Sequence, residues 1–149
     1  MRIAILNGPN LNLLGRREPT IYGTRSMEQV LLDIQRAYPD VYLEYHQSNH
    51  EGDLIDWVQE LGVLSQRQEL DGIVLNAGGY THTSVALRDA VACSQVPVVE
   101  VHVSDITARE DFRRVSLMSD VCVHTIMGHG VDGYLEGVEW IIKQTSGNK

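Results

Sequence analysis

Short apolar runs alternate along the chain with longer stretches in which apolar residues recur every three or four positions, the pattern of βαβ units around a parallel sheet. Five runs predict strands: Arg2 to Asn7, Val41 to Gln47, Asp71 to Asn76, Pro97 to Val103 and Asp120 to Ile126. Several are unbroken Val/Ile/Leu runs, as expected of strands covered on both faces. Helices are predicted from Ser26, as N-cap, to Ala37, from about Asp53 to Leu70, from Ser84 to Ser94 and from Val131 to Gln144, with a weaker one after Asp105. The last five residues, Thr145 to Lys149, read as a frayed tail.

Right-handed crossovers assemble these units into an α/β fold, a flavodoxin-like doubly wound sheet of five parallel strands in the order 2-1-3-4-5 with helices on both faces. In such sheets ligands bind beyond the carboxyl ends of the strands where the order reverses, here between the first and third strands. The polar residues agree. The first strand runs into Asn7-Gly8-Pro9-Asn10, the third into Asn76-Ala77-Gly78-Gly79 and on to Thr81-His82-Thr83-Ser84, and the fourth carries Glu100 and His102 into Ser104 and Asp105.

A length of 149 residues fits one catalytic domain, residues 1–149. Apolar residues at 43% and charged residues at 21% are ordinary globular values. Twelve Lys plus Arg against twenty Asp plus Glu give a formal net charge of −8, which argues against nucleic acid or an anionic membrane as the main partner. The apolar run at the N-terminus is too short for a signal peptide and no run is long enough for a membrane span, so the expected location is cytoplasmic. Cys93 and Cys122 lie in apolar stretches and read as buried reduced thiols, with no structural metal expected.

The only lysines are Lys143 and Lys149, which leaves Schiff-base chemistry without an obvious amine. Gly-x-Ser-x-Gly, P-loop and Gly-x-Gly-x-x-Gly motifs are absent. Other residues must carry the chemistry.

Glu100 and His102 interrupt a valine-rich strand two positions apart, so they share a face. Burying both without purpose is costly, and a carboxylate that orients an imidazole suits a general acid; a structural ion pair is the plainer alternative. Between the first strand and first helix lie about eighteen residues, 8–25, far more than the usual connection. This segment is either a lid or an ordinary surface loop. It holds Arg17 and Tyr22 near Gly15 and Gly23. A phenol needs roughly 3 pKa units of help to act as a base near neutral pH, and a guanidinium beside it is a plausible source. Asn76 on its own reads as a turn residue, and Ser84 as a helix cap at a helix N-terminus that favours anions. His46 and His50 with Glu51 suggest metal spacing only weakly. His124 and His129 receive no role.

Taken in order, these segments resemble the type II 3-dehydroquinate dehydratases over nearly the whole chain. The resemblance is carried by Gly8-Pro9-Asn10-Leu11-Asn12-Leu13-Leu14-Gly15-Arg16-Arg17-Glu18-Pro19 with Tyr22-Gly23, then Gln47-Ser48-Asn49 with Glu51-Gly52, Tyr80-Thr81-His82-Thr83-Ser84, and Glu100-Val101-His102 with Ala108-Arg109-Glu110-Asp111-Phe112-Arg113. It implies anti elimination of water from 3-dehydroquinate to 3-dehydroshikimate through an enolate, in the shikimate pathway, with no cofactor and no metal. It also implies a homododecamer assembled from trimers.

By the same resemblance Tyr22 takes the C2 proton as tyrosinate, Arg17 lowers its pKa, and Asn12 helps orient it. Asn76 positions a water against the enolate, and His102, oriented by Glu100, protonates the departing hydroxyl. The backbone amides of Val103 and Ser104 hold the substrate carboxylate, and His82 and Arg113 bind ring hydroxyls. Asp89 matches an acidic residue that the family contributes across a subunit interface.

The chain departs from the family where Asn76-Ala77-Gly78-Gly79 stands for the usual Asn-Pro-Gly-Ala, and where Asp105 replaces a common Asn. The first change loosens the turn behind Asn76; the second either sets a carboxylate near the substrate's or simply caps the next turn. Competing readings are a catabolic role in quinate breakdown, a dehydratase for a related cyclic hydroxy-keto acid, and a non-enzymatic flavodoxin-like module. Against the last, a phosphorylation receiver requires a strand-terminal Asp cluster and an active lysine.

Overall fold

A computed structural model describes residues 1–16 and 18–147, and the side chain of Tyr22 lies outside what it describes. Arg17 and the phenol of Tyr22, the base pair of the sequence reading, therefore fall outside the described residues, as do residues 148–149.

Five parallel strands, β1 (Arg2–Asn7), β2 (Tyr42–Gln47), β3 (Gly72–Asn76), β4 (Val98–His102) and β5 (His124–Met127), form one sheet in the order β2-β1-β3-β4-β5. This is the flavodoxin-like arrangement. The longer helices are α2 (Met27–Ala37), α3 (Glu51–Gln66), α4 (Val85–Ser94) and α5 (Asp132–Gly147), and a single turn, α1 (Pro19–Tyr22), precedes them.

Side-chain alternation divides the core in two. Odd-numbered residues of β1 and β4 and even-numbered ones of β3, such as Ile3, Ile5, Val74, Val99 and Val101, pack with Val30 and Ile34 of α2 and Val138 and Ile141 of α5. The opposite parity, including Ala4, Leu6, Ile73, Leu75 and Val98, packs with Leu54 and Val58 of α3 and Leu87 and Val91 of α4. Asn7 and Asn76 belong by position to the α2/α5 face, and Glu100 and His102 to the α3/α4 face.

Ser26 caps α2 as expected, in a capping box with Gln29, and Ser84 caps α4 by accepting from the Leu87 amide at 2.9 Å. Two close approaches position the site. A Cβ on Gly8 would lie 2.3 Å from the Ala77 carbonyl oxygen, so only glycine lets the turns after β1 and β3 touch. Cβ atoms on Gly133 and Gly137 would come within 3.1 Å of Val101 and Val74, so α5 sits close on the sheet and brings Tyr134 over the strand ends.

Several boundaries differ from the sequence reading. The last strand begins at His124 rather than Asp120, because Val121 and Cys122 both donate to the Met118 carbonyl and close a turn there. The apolar Val121 and Cys122 pack on the core without joining the ladder. Helix α3 begins at Glu51 and ends at Gln66; just beyond it Gln68 takes φ 61° and turns the chain out. The segment after Asp105 forms two 3-10 turns, Ile106–Ala108 and Asp111–Arg113, not an α-helix. Residues 145–147 continue α5 and are not a frayed tail. The 8–25 connection contains the 3-10 turn Leu11–Leu13 as well as α1. Cys93 is exposed rather than buried, and Cys122 is partly buried.

Candidate active site

Beyond the carboxyl ends of β1, β3 and β4 lies a crevice of about 180 Å³. Asn76, His82, His102, Val103, Ser104 and Arg113 line it, as the sequence reading expected. Arg109, Gly78, Gly79 and the turn Pro9-Asn10-Leu11 complete the wall.

On one side stands the β4 pair. Glu100 is 1% exposed and His102 5%, and Glu100 Oε2 comes within 2.8 Å of His102 Nε2. The carboxylate lies off the ring N–H axis, so this is a close electrostatic contact rather than a directed hydrogen bond. Three hydroxyls donate to Glu100: Ser119 at 2.6 Å and Thr125 at 2.9 Å to Oε1, and Ser116 to Oε2. Burial on its own raises the pKa of this carboxyl; the contact with His102 and the hydroxyl donors outweigh it and hold the pKa at about 2. Glu100 is thus a fixed negative charge beneath an imidazole that faces the crevice. Ser116, Ser119 and Thr125 were not singled out in the sequence, since their convergence on one carboxylate requires the fold.

On the other side is Asn76. Its Nδ2 donates to the Tyr134 hydroxyl at 2.9 Å, and its Oδ1 accepts from the Gly78 amide at 3.1 Å. Asn76 is 4% exposed, so it is a built-in polar group and more than the turn residue it resembles in isolation.

His82 Nδ1 lies 2.8 Å from the Val115 carbonyl oxygen, which anchors the ring at the crevice wall. Arg109 donates to Ser104 Oγ at 3.2 Å, and Arg113 Nε lies 3.1 Å from Glu110 Oε2. Two guanidinium groups and two imidazoles around one small crevice suit an anionic, oxygen-rich ligand. Arg109 is the residue that sequence reasoning passed over; it stands inside a quoted motif, which was the available signal.

Two expected residues lie elsewhere. Asn12 is exposed on the Leu11–Leu13 turn and does not line the crevice, although Asn10 and Leu11 do. Asp89 is exposed on α4 and faces a separate groove between α3 and α4, beside Gln66 and Cys93.

The motif Gln47-Ser48-Asn49 now has a role. Gln47 donates to the Gly8 carbonyl at 3.2 Å, Asn49 Oδ1 accepts from the Asn10 amide at 3.0 Å, and the Asn49 carbonyl accepts from the Tyr80 hydroxyl at 2.9 Å. These bonds tie the turns after β1 and β3 together above the sheet.

Asp105 does not line the crevice; its Oδ1 accepts from the Thr107 amide at 3.0 Å and hydroxyl at 2.6 Å, capping the turn that follows. Of the other histidines, His50 is exposed at the N-terminus of α3, and the remaining three pack or pair with neighbours. His46 stacks on Trp57 and pairs with Glu44, His124 stacks on Trp140, and His129 pairs with Glu136. Burial first, then the charges of Glu100 and Asp120, push the Cys122 thiol up to about 12, which makes it a poor nucleophile. Among the described residues no helix is long and apolar enough to cross a membrane.

The sequence model of the family described as Dehydroquinase class II matches residues 1–142. The chain belongs to this family. A 3-dehydroquinate dehydratase from Exiguobacterium sp. is 49% identical to this chain over 144 residues, covering 96% of this chain and 95% of the relative. One from Halothermothrix orenii is 48% identical over 143 residues, covering 95% and 93%. The crystal structure of a type II dehydroquinase from Butyrivibrio crossotus superposes with a TM-score of 0.88 at 41% identity, over 95% of this chain and 97% of that one.

Proposed function

We propose that this protein removes water from 3-dehydroquinate to give 3-dehydroshikimate, the shikimate-pathway dehydration, working as a hydro-lyase without a Schiff base. The observation that carries the reading is the buried Glu100–His102 pair opening on a crevice lined by Asn76, His82, Arg109 and Arg113. A β-hydroxy ketone eliminates when a base takes the α-proton, the enolate is stabilised, and the leaving hydroxyl is protonated.

Tyr22, as tyrosinate favoured by Arg17 and oriented by Asn12, takes the C2 proton. The C3 carbonyl becomes an enolate, against which Asn76 holds a water. The enolate collapses, the C1–O bond breaks, and His102 gives its proton to the departing hydroxyl, which leaves as water. Glu100 keeps the imidazole aligned and holds a negative charge against it. The substrate carboxylate sits on the backbone amides of Val103 and Ser104, and His82 and Arg113 bind ring hydroxyls. Arg109, anchored to Ser104, adds positive potential where this anion docks.

The 8–25 segment serves as a lid that brings Tyr22 to the crevice, and residues 1–149 act as one catalytic domain. The protein is proposed to act in the cytoplasm as a homododecamer of trimers, in which Asp89 serves the crevice of a neighbouring copy. The exposed position of Asp89, away from its own crevice, fits that role.

The test is Tyr22→Phe. Turnover of 3-dehydroquinate falls by several orders of magnitude while substrate binding is nearly unchanged; unchanged turnover removes Tyr22 as the base.

A further inference from the structure

Behind the crevice, on the α2/α5 face, a chain of hydrogen bonds links Asn76 to three residues the mechanism does not use, Tyr134, Asn7 and Tyr45. Asn7 and Asn76 are register partners at the ends of β1 and β3, 0% and 4% exposed. Between them stands Tyr134 of α5, also 0% exposed, carried there by the close seat of its helix on the sheet. Its hydroxyl donates to Asn7 Oδ1 at 2.8 Å and accepts from Asn76 Nδ2 at 2.9 Å, and Asn7 Nδ2 in turn approaches the Tyr45 hydroxyl at 3.4 Å.

The bonds have a direction. A phenol has one proton, and Tyr134 gives it to Asn7, so toward Asn76 it can only accept. Asn76 must therefore present its NH2 end to Tyr134 and its oxygen to Gly78, whose amide can only donate. Both ends of the Asn76 amide are specified, and its second N–H and second oxygen lone pair remain for the crevice. Burial pushes the Tyr134 phenol up from its ordinary value, against the pull of the Asn76 bond, so the hydroxyl keeps the proton on which this ordering depends.

We infer that Tyr134 is a positioning residue for the elimination: through Asn7 and Asn76 it determines which end of the Asn76 amide is offered to the enolate side of the crevice. The inference rests on the role proposed above for Asn76. Removing the hydroxyl strands Asn76 Nδ2 and Asn7 Oδ1 and lets the amide rotate, which spoils the alignment needed in the transition state more than it spoils substrate binding.

The experiment measures kcat and KM for 3-dehydroquinate in the wild type, Tyr134→Phe, Asn76→Ala and the double variant. Expected is a fall in kcat of roughly 10- to 100-fold in Tyr134→Phe with KM within about twofold, and no further fall when Tyr134→Phe is added to Asn76→Ala. A purely structural tyrosine lowers the melting temperature in both backgrounds but leaves kcat of the folded enzyme unchanged, and that result overturns the inference. An additive loss of kcat in the double variant overturns it as well. Should Asn76→Ala itself turn over normally, the role of Asn76 fails, and the inference with it, at a separately visible step. If Tyr134→Phe does not fold, Asn7→Leu removes the acceptor of the tyrosine proton instead; a comparable fall in kcat is expected, and an unchanged kcat overturns the proposal.

Discussion

The carboxylate of Glu100 comes within 2.8 Å of the ring Nε2 of His102, two residues further along β4, and both side chains are buried. Glu100→Gln keeps the shape and the neighbouring hydroxyls but removes the negative charge held against the imidazole. Turnover is expected to fall about 100-fold with KM changed by less than about threefold. Steady-state kinetics check this, and wild-type turnover in Glu100→Gln reduces the pair to a structural one.

The same carboxyl links stability to pH. Its pKa is depressed on folding, from an ordinary 4.5 to about 2, so its stabilising contribution is present in full above the ordinary value and is lost as pH falls toward 2. Urea unfolding of the wild type and Glu100→Gln across pH should give a stability gap that is constant above about pH 5 and closes at lower pH. A gap that is flat down to pH 2, or widens, contradicts the assigned shift.

How much of this was legible in the sequence depends on the range of the interaction. The strand alternation alone put Glu100 and His102 on one face, and the crevice follows from strand order, itself a consequence of connection handedness. Ser26 and Ser84 announced their helices because a cap is a local hydrogen bond. The start of β5 was misread because Val121, Cys122 and Val123 form an apolar run with two β-branched residues, while the turn that excludes Val121 and Cys122 depends on the carbonyl of Met118. Tyr134 was invisible for the same reason at longer range: Asn7 and Asn76 become partners only once β1 and β3 are paired. The stack of His124 on Trp140 likewise needs the last helix folded over the sheet edge.

The turn behind Asn76 offers a stability test. Ala77 has φ −73°, already the value a proline ring imposes, and it follows an extended strand residue. A Cβ on Gly79 meets nothing within 4 Å, and Gly79 is not among the residues with positive φ. Ala77→Pro and Gly79→Ala are each expected to stabilise the protein by about 0.4–1 kcal/mol through the unfolded chain. Denaturant midpoints measure this; a destabilised Ala77→Pro means that the Ala77 amide or the space beside it is needed.

Asp105 caps the turn after β4 by accepting from the Thr107 amide and hydroxyl, and it does not line the crevice. Asp105→Asn retains a capping oxygen and should change KM for 3-dehydroquinate by less than about twofold. A several-fold drop in KM instead assigns Asp105 a repulsive role at the substrate carboxylate.

Schiff-base-free elimination of water from 3-dehydroquinate by this chain can be measured directly. The purified protein is mixed with 3-dehydroquinate, with no metal or cofactor added, and the ultraviolet absorbance of the conjugated enone is followed with and without borohydride. The enone should appear at the same rate in both. No enone from folded protein, or activity abolished by borohydride only when substrate is present, contradicts it.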